Sequence, residues 1–269
     1  MTTSHSPAPV LTYPQWLELI EDRSAALRRA AEASLAADPP ARVPGCPDWT
    51  ARDLVTHLGG VQRFWAAAVA AGPAGQPPAQ EAVRDSRPAN PGPVDNLLEW
   101  SAGSTAVLLD ALRTAGPDAG CWTWWAESST PATSGAVARH QMQEAAVHAR
   151  DAQETADAAE PLPSALAVDA LDEMLHVGFA MMDGWPHAPA RVVLAADEGP
   201  AWTLILDATG ASVVRGGPGG GPAAGAVLAG PAGDLLLSLY RRLAWDGPSL
   251  RVTGDPDLVR QLVVWPPLG

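Results

Sequence analysis

The sequence predicts an α+β protein in two parts, a helical bundle followed by a smaller mixed domain. Three observations carry that prediction. Four long helix-compatible stretches come first, the connections between them are rich in Pro and Gly, and beyond residue 160 the pattern changes to short β-like runs. The length of 269 residues with 47% hydrophobic residues is enough for two cores.

The first helix is expected from Pro14 to Ala37 and the second from Thr50 to Ala71. Thr50 can N-cap the second, with Asp53 as the acidic residue at the third helical position. A third runs from Val94 to Thr114 and a fourth from Thr133 to Ala158, where no Gly or Pro interrupts Ala136 to Thr155. The stretches Val43 to Asp48 and Gly72 to Pro78 read as loops, because Pro fixes φ and lacks the N–H that would continue a helix. Residues Ala158 to Pro163 mark a boundary, giving domains at 1–160 and 161–269.

The second part begins with a helix near Ser164 to Met182. Strands follow at Arg191 to Ala195, Trp202 to Leu206, Ala211 to Arg215 and Ala226 to Leu228. A helix from Ala232 to Arg242, a strand near Leu250 to Val252 and a short helix from Pro256 complete it. The glycine-rich run Gly216 to Pro222 lacks the Lys and Ser or Thr of a phosphate loop and opens no helix, so it reads as a flexible hairpin connection.

Composition excludes several functions. A formal charge of −13, with no run of Lys or Arg longer than two, disfavours nucleic acid, which needs a concentrated basic patch. No apolar stretch reaches bilayer-spanning length, and Met1 to Tyr13 lacks the basic and apolar regions of a signal peptide; a cytoplasmic protein that does not enter a membrane is expected, as monomer or homodimer. Cys46 and Cys121 have no paired spacing, so neither a disulfide framework nor a zinc ribbon is implied, although Cys46 precedes a helix of interest.

That helix carries His57, and the fourth carries Glu144 and His148. Residues four apart on a helix differ by only ~40° around the axis and roughly 6 Å along it, so Glu144 and His148 project toward one point. If the two helices pack, two imidazoles and a carboxylate form a ligand set for a catalytic divalent metal with an open position. The competing readings are a hydrogen-bonded core histidine and a solvated polar stripe that begins at His140, which drifts by about 80° from His148 and is the poorer partner. Asp151 and Arg150 read equally as support for His148 or as a surface ion pair. Trp122, Trp124 and Trp125 either roof a pocket or cover the end of the bundle core.

Pro47 to Gly59 with His57 inside it, Glu144-x-x-Val-His148-x-x-Asp151, Gly230-x-x-x-Asp-Leu-Leu-Leu and Val252-x-Gly254-Asp255 together resemble the mycothiol-dependent maleylpyruvate isomerase family, within the DinB-like metalloenzyme superfamily. The resemblance spans nearly the whole chain. It implies a DinB-like four-helix bundle holding zinc or a similar divalent ion, and a smaller C-terminal α/β domain similar to sterol-carrier proteins. It also implies that His57, Glu144 and His148 are the metal ligands and that mycothiol supplies the thiol. The activity implied is cis–trans isomerisation, or S-transfer to an electrophilic small molecule or thiol exchange in specialised metabolism; the alternative is a non-catalytic small-molecule binding or thiol-sensing module. This sequence has Gln143 where members commonly have His, and Arg241-Arg242 where Gly-Arg is common, which makes Arg242 the match to a functional arginine.

Overall fold

The computed structural model describes residues 11–36, 41–79, 81, 84, 86–88, 90, 92–217 and 223–266. It divides into two compact units, a helical one of Thr12–Ala126 with Thr130–Pro161, and a sheet-containing one from Leu162 onward that also takes in Glu127–Ser129. The architecture is α+β, as the sequence predicts.

The helical unit holds four long helices: α1 (Tyr13–Leu35), α2 (Ala51–Ala71), α3 (Val94–Ala115) and α4 (Ser134–Thr155). Each opens where its sequence supplies a starting signal. Thr12 and Gln15 form a reciprocal cap on α1, and Thr133 accepts from the Ala136 N–H at the start of α4. On α2 the Thr50 side chain accepts from the Asp53 N–H, while the Asp53 carboxylate accepts from both the N–H and hydroxyl of Thr50. The apolar core draws on all four helices, with Leu27 and Ala31 from α1, Leu54 and Leu58 from α2, Leu97 from α3, and Ala149 and Ala152 from α4. A buried polar cluster also ties three helices. Gln62 donates to Ser24 at 2.8 Å and accepts from Thr105 at 2.9 Å, so both ends of its amide are satisfied. Gly59 lets Trp100 of α3 lie directly on α2, since a Cβ there would collide with the indole ring.

The stretch Val43 to Asp48 is not the plain loop expected from its Pro and Gly content. It forms a hairpin of β1 (Arg42–Val43) and β2 (Cys46–Thr50), with Pro44 and Gly45 at the turn. Pro47 is tolerated because a two-stranded ribbon consists of edges, where a missing N–H leaves no ladder bond unmade. The hairpin leads straight into the capped start of α2.

The second unit begins with α5 (Ser164–His176), which ends six residues earlier than expected, and a single 3-10 turn at Phe179–Met181 follows. Gly178 sits too close to the Met174 carbonyl to carry a Cβ. The sheet contains β3 (Ala190–Ala196), β4 (Ala201–Asp207), β5 (Gly210–Arg215), β6 (Ala226–Gly230) and β7 (Arg251–Gly254), in the order β5-β4-β3-β6-β7. Helices α6 (Ala232–Leu239) and α7 (Pro256–Val264) pack on it. The connection after β5 is therefore not a hairpin: β5 is an edge strand, and β6 is separated from it by two strands and runs parallel to β3. Residues 218–222 of that glycine-rich run lie outside the described residues. Asp172 of α5 anchors the sheet, accepting from Trp202 Nε1 at 2.8 Å and from the Arg215 guanidinium at 2.7 and 2.6 Å.

Thr50→Ala removes the side-chain cap of α2 and is expected to cost about 1 kcal/mol. Hydrogen–deuterium exchange should show the first-turn amides of α2, Asp53 foremost, exchanging faster in the variant.

Candidate metal centre

Histidine 57 lies in the second turn of α2, and Glu144 and His148 lie one turn apart on α4, on the face turned toward α2. Glu144 stands between the two rings, its Oε1 at 3.0 Å from His57 Nε2 and 3.3 Å from His148 Nε2. One donor atom from each residue fits within a mutual spacing of 4.8 Å. Ligand atoms about 2.0–2.2 Å from a tetrahedral ion are roughly 3.4 Å apart, so the cluster is close to the size such an ion requires. Two imidazole nitrogens and one carboxylate oxygen are also a donor set that suits zinc and its neighbours. The residues present fit a divalent cation.

His148 is buried, and His57 and Glu144 are half-buried, so the cluster is reached from one side. Trp49, from the end of β2, lies against both imidazoles, with ring centroids 4.6 Å from His57 and 5.9 Å from His148. Behind His148, the fully buried Asp151 places Oδ2 at 3.0 Å from Nδ1. Cys46 Sγ approaches the same oxygen at 3.9 Å. Arg150 pairs instead with Glu154, so the ion pair between Arg150 and Asp151, one of the two readings that the sequence leaves open, is not what these contacts form.

The electrostatics follow from this geometry. Burial opposes ionisation of Glu144, but the charge and hydrogen bond of His148 and the contact with His57 outweigh it, holding the carboxyl well below its usual range. Burial likewise opposes a charge on His148, yet Glu144 and Asp151 on its two sides raise its pKa to about 9. A proton on His148 thus offsets part of the negative charge of the two carboxylates that flank it.

The remaining candidates sit apart from this cluster. His140 is packed among the rings of Trp65, Trp124 and Trp125, at centroid distances of 5.8, 5.9 and 5.2 Å, and belongs to an aromatic cluster that includes Trp122 and Phe64. Trp125 is completely buried there. In the second unit, α6 stops at Leu239, so Arg241 and Arg242 lie in the turn beyond it rather than in the helix. Arg241 adopts φ +57°, and its guanidinium caps the C-terminal end of α7 through the carbonyls of Val263, Val264 and Pro266. Arg242 donates to the Tyr240 carbonyl at 2.9 Å and lies 5.7 Å from that residue's ring. Sequence reasoning missed Trp49. Its signal was its place immediately before the capping Thr50, which carries weight only once the hairpin is known.

Fold and cluster together define a class of two-domain proteins, in which a four-helix bundle presents a His–Glu–His cluster and a separate unit is built on a five-stranded sheet. Residues 18–153 match the mycothiol maleylpyruvate isomerase N-terminal domain, and residues 165–261 match the C-terminal domain of the same family. The chain belongs to the mycothiol-dependent maleylpyruvate isomerase family. Among solved structures, a mycothiol-dependent maleylpyruvate isomerase and a histidine-to-alanine mutant of such an enzyme share the fold, at 15% and 14% identity. Each gives a TM-score of 0.59 with 99% of both chains covered. Among curated proteins no sequence matches this chain. Among the described residues, no helix is long and apolar enough to cross a membrane.

A cation can bind His148 only after its proton leaves. At pH 7, below a pKa of about 9, that proton is present, so uptake must release it, and apparent zinc affinity should rise about tenfold per pH unit up to about pH 9. Calorimetry in buffers of different ionisation enthalpy should count at least one proton released per zinc bound at pH 7.

Proposed function

We propose that this chain is a metal-dependent enzyme that uses mycothiol as a nucleophile toward an electrophilic carbon of a small second substrate. The observation that carries the reading is the convergence of His57, Glu144 and His148 on one point of the bundle. In this reading those three residues hold a divalent cation, with zinc the best match to the donor set. When bound, the cation deprotonates a coordinating thiol at neutral pH and fixes the sulfur in place.

The chain's own residues do the rest. Glu144 and the two imidazoles hold the site in position from two different helices, Trp49 covers the imidazole rings on the hairpin side, and His57 and Glu144 remain partly open to an entering ligand. The mycothiol sulfur adds to one carbon of a cis double bond conjugated to a carbonyl, and the π electrons move onto the carbonyl oxygen as an enolate. Rotation about the resulting single bond follows. The enolate then re-forms the double bond in the trans geometry and expels the thiolate, so mycothiol is regenerated and no atoms are gained or lost. If the adduct instead takes up a proton and leaves, the same activated thiol performs S-transfer.

Arg242 is assigned the anionic end of the second substrate, a role suited to a planar guanidinium that stays charged. Its neighbour Arg241 is already engaged in capping α7.

Metal analysis of the purified chain should find about one zinc-class ion per chain, and Glu144→Ala and His148→Ala should each lose most of it. Stoichiometric metal in both variants would reject the ligand set. With mycothiol and a panel of cis-enones and other electrophiles, an isomerase returns trans product at constant thiol, whereas a transferase consumes thiol. No turnover across the panel, with metal and mycothiol both bound, would favour a non-catalytic thiol-sensing module. Arg242→Ala should reduce kcat/KM for carboxylate-bearing electrophiles by about 10²-fold while leaving zinc content unchanged.

A further inference from the structure

We propose that Asp151 is the positioning residue of the metal centre, the group that fixes the ring of His148 and the nitrogen it presents; the inference rests on the metal-centre reading above. Asp151 follows His148 by three residues on α4, so the helix itself places the carboxylate beside the imidazole. Its Oδ2 lies 3.0 Å from His148 Nδ1, while the opposite ring atom, Nε2, faces Glu144 at 3.3 Å. The imidazole is thus held at both nitrogens, with one side turned to the cluster and the other to a carboxylate that solvent does not reach.

Three consequences follow from this arrangement. With Nδ1–H donated to Asp151, Nε2 is the nitrogen that gives up its proton to ligate, so the carboxylate sets which tautomer the neutral ring adopts. The hydrogen bond also fixes the ring's torsion, which a lone helical histidine would otherwise leave free to rotate. A carboxylate behind the ring makes the imidazole a stronger donor than a carbonyl or water partner would. His57 sits differently, partly exposed and against the Trp49 ring, with no carboxylate among the described residues at its second nitrogen.

Cys46 supplies an internal control. Its sulfur approaches the same carboxylate oxygen at 3.9 Å, a weak contact from the hairpin side. If Asp151 served only to satisfy the neighbourhood of Cys46 or to pack α4 against the hairpin, replacing Cys46 would disturb the centre as much as replacing Asp151.

The test compares zinc affinity, by competition with a chromophoric chelator, in the full chain and in Asp151→Asn, Asp151→Glu and Cys46→Ala, with folding checked by circular dichroism. Asp151→Asn should bind zinc about 10- to 100-fold more weakly, and Asp151→Glu should fall between it and the unaltered chain. Cys46→Ala should stay within about threefold. Cobalt substitution gives a second readout: the d–d bands should shift in Asp151→Asn and stay in place in Cys46→Ala. A folded Asp151→Asn that binds zinc within about threefold of the unaltered chain, with an unchanged cobalt spectrum, overturns the inference. If Asp151→Asn does not fold, Asp151→Glu with unaltered zinc affinity and cobalt spectrum does the same. Failure of the unaltered chain to take up zinc overturns the metal-centre reading itself, which is a different result.

Discussion

A carboxylate held between two imidazoles inside a helical bundle sets the terms for everything around it. Glu144 is shielded enough for burial to oppose its charge, yet its carboxyl is held well below the usual range by the His148 charge and by hydrogen bonds from the two imidazoles. A second carboxylate, Asp151, lies on the far side of His148, so the neighbourhood carries more negative than positive charge unless protons or a cation correct it. A proton on His148 makes part of that correction, and a divalent ion makes a fuller one. The cluster therefore favours added positive charge, a condition that a divalent cation would meet.

Meeting that demand constrains the fold. The pair on α4 is set by helical periodicity alone, but His57 must arrive from another helix in the correct rotation, and one residue of slip on α2 would turn it by about 100°. The capping interactions of Thr50 and Asp53 fix where α2 begins, and the hairpin fixes where Thr50 lies. Gly59 allows Trp100 to close the packing of α3 on α2, and three residues further along the same helix Gln62 ties α2 to Ser24 of α1 and Thr105 of α3. The precision of the centre therefore rests on ordinary caps and close packing spread across three helices.

What the sequence disclosed and what it withheld follows the same division. The four helices, the strands of the second unit and the pairing of Glu144 with His148 depend on local periodicity and on Pro and Gly punctuation, so they were legible to within a few residues. The place of His57 depended on tertiary packing, which local pattern does not encode; the family motifs supplied it. The β1–β2 hairpin was hidden because Pro44, Gly45 and Pro47 look like loop chemistry, and with it went Trp49. The strand order was hidden too: the parallel pairing of β3 with β6 joins residues about 35 apart, and nothing in the glycine-rich run between β5 and β6 says that the chain crosses the sheet instead of turning back. Asp151 was visible as a candidate but not separable from Arg150 until burial distinguished them.

The turn at Arg241 shows how a side chain can be accommodated at a backbone conformation that glycine favours. Where members commonly have Gly-Arg, the first position here carries a side chain and yet keeps φ at +57°, a conformation glycine adopts freely and other residues adopt at a cost of roughly 1 kcal/mol or more. The guanidinium of Arg241 offsets that cost by donating to carbonyls at the end of α7, groups a helix terminus leaves without backbone partners. Several charge-assisted bonds of about 1 kcal/mol or more each are sufficient. The backbone that carries Arg242 is then pinned on one side by α6 and on the other by α7, so its guanidinium leaves from a rigid point. Arg241 thereby acts as a structural clamp between the turn after α6 and the end of α7.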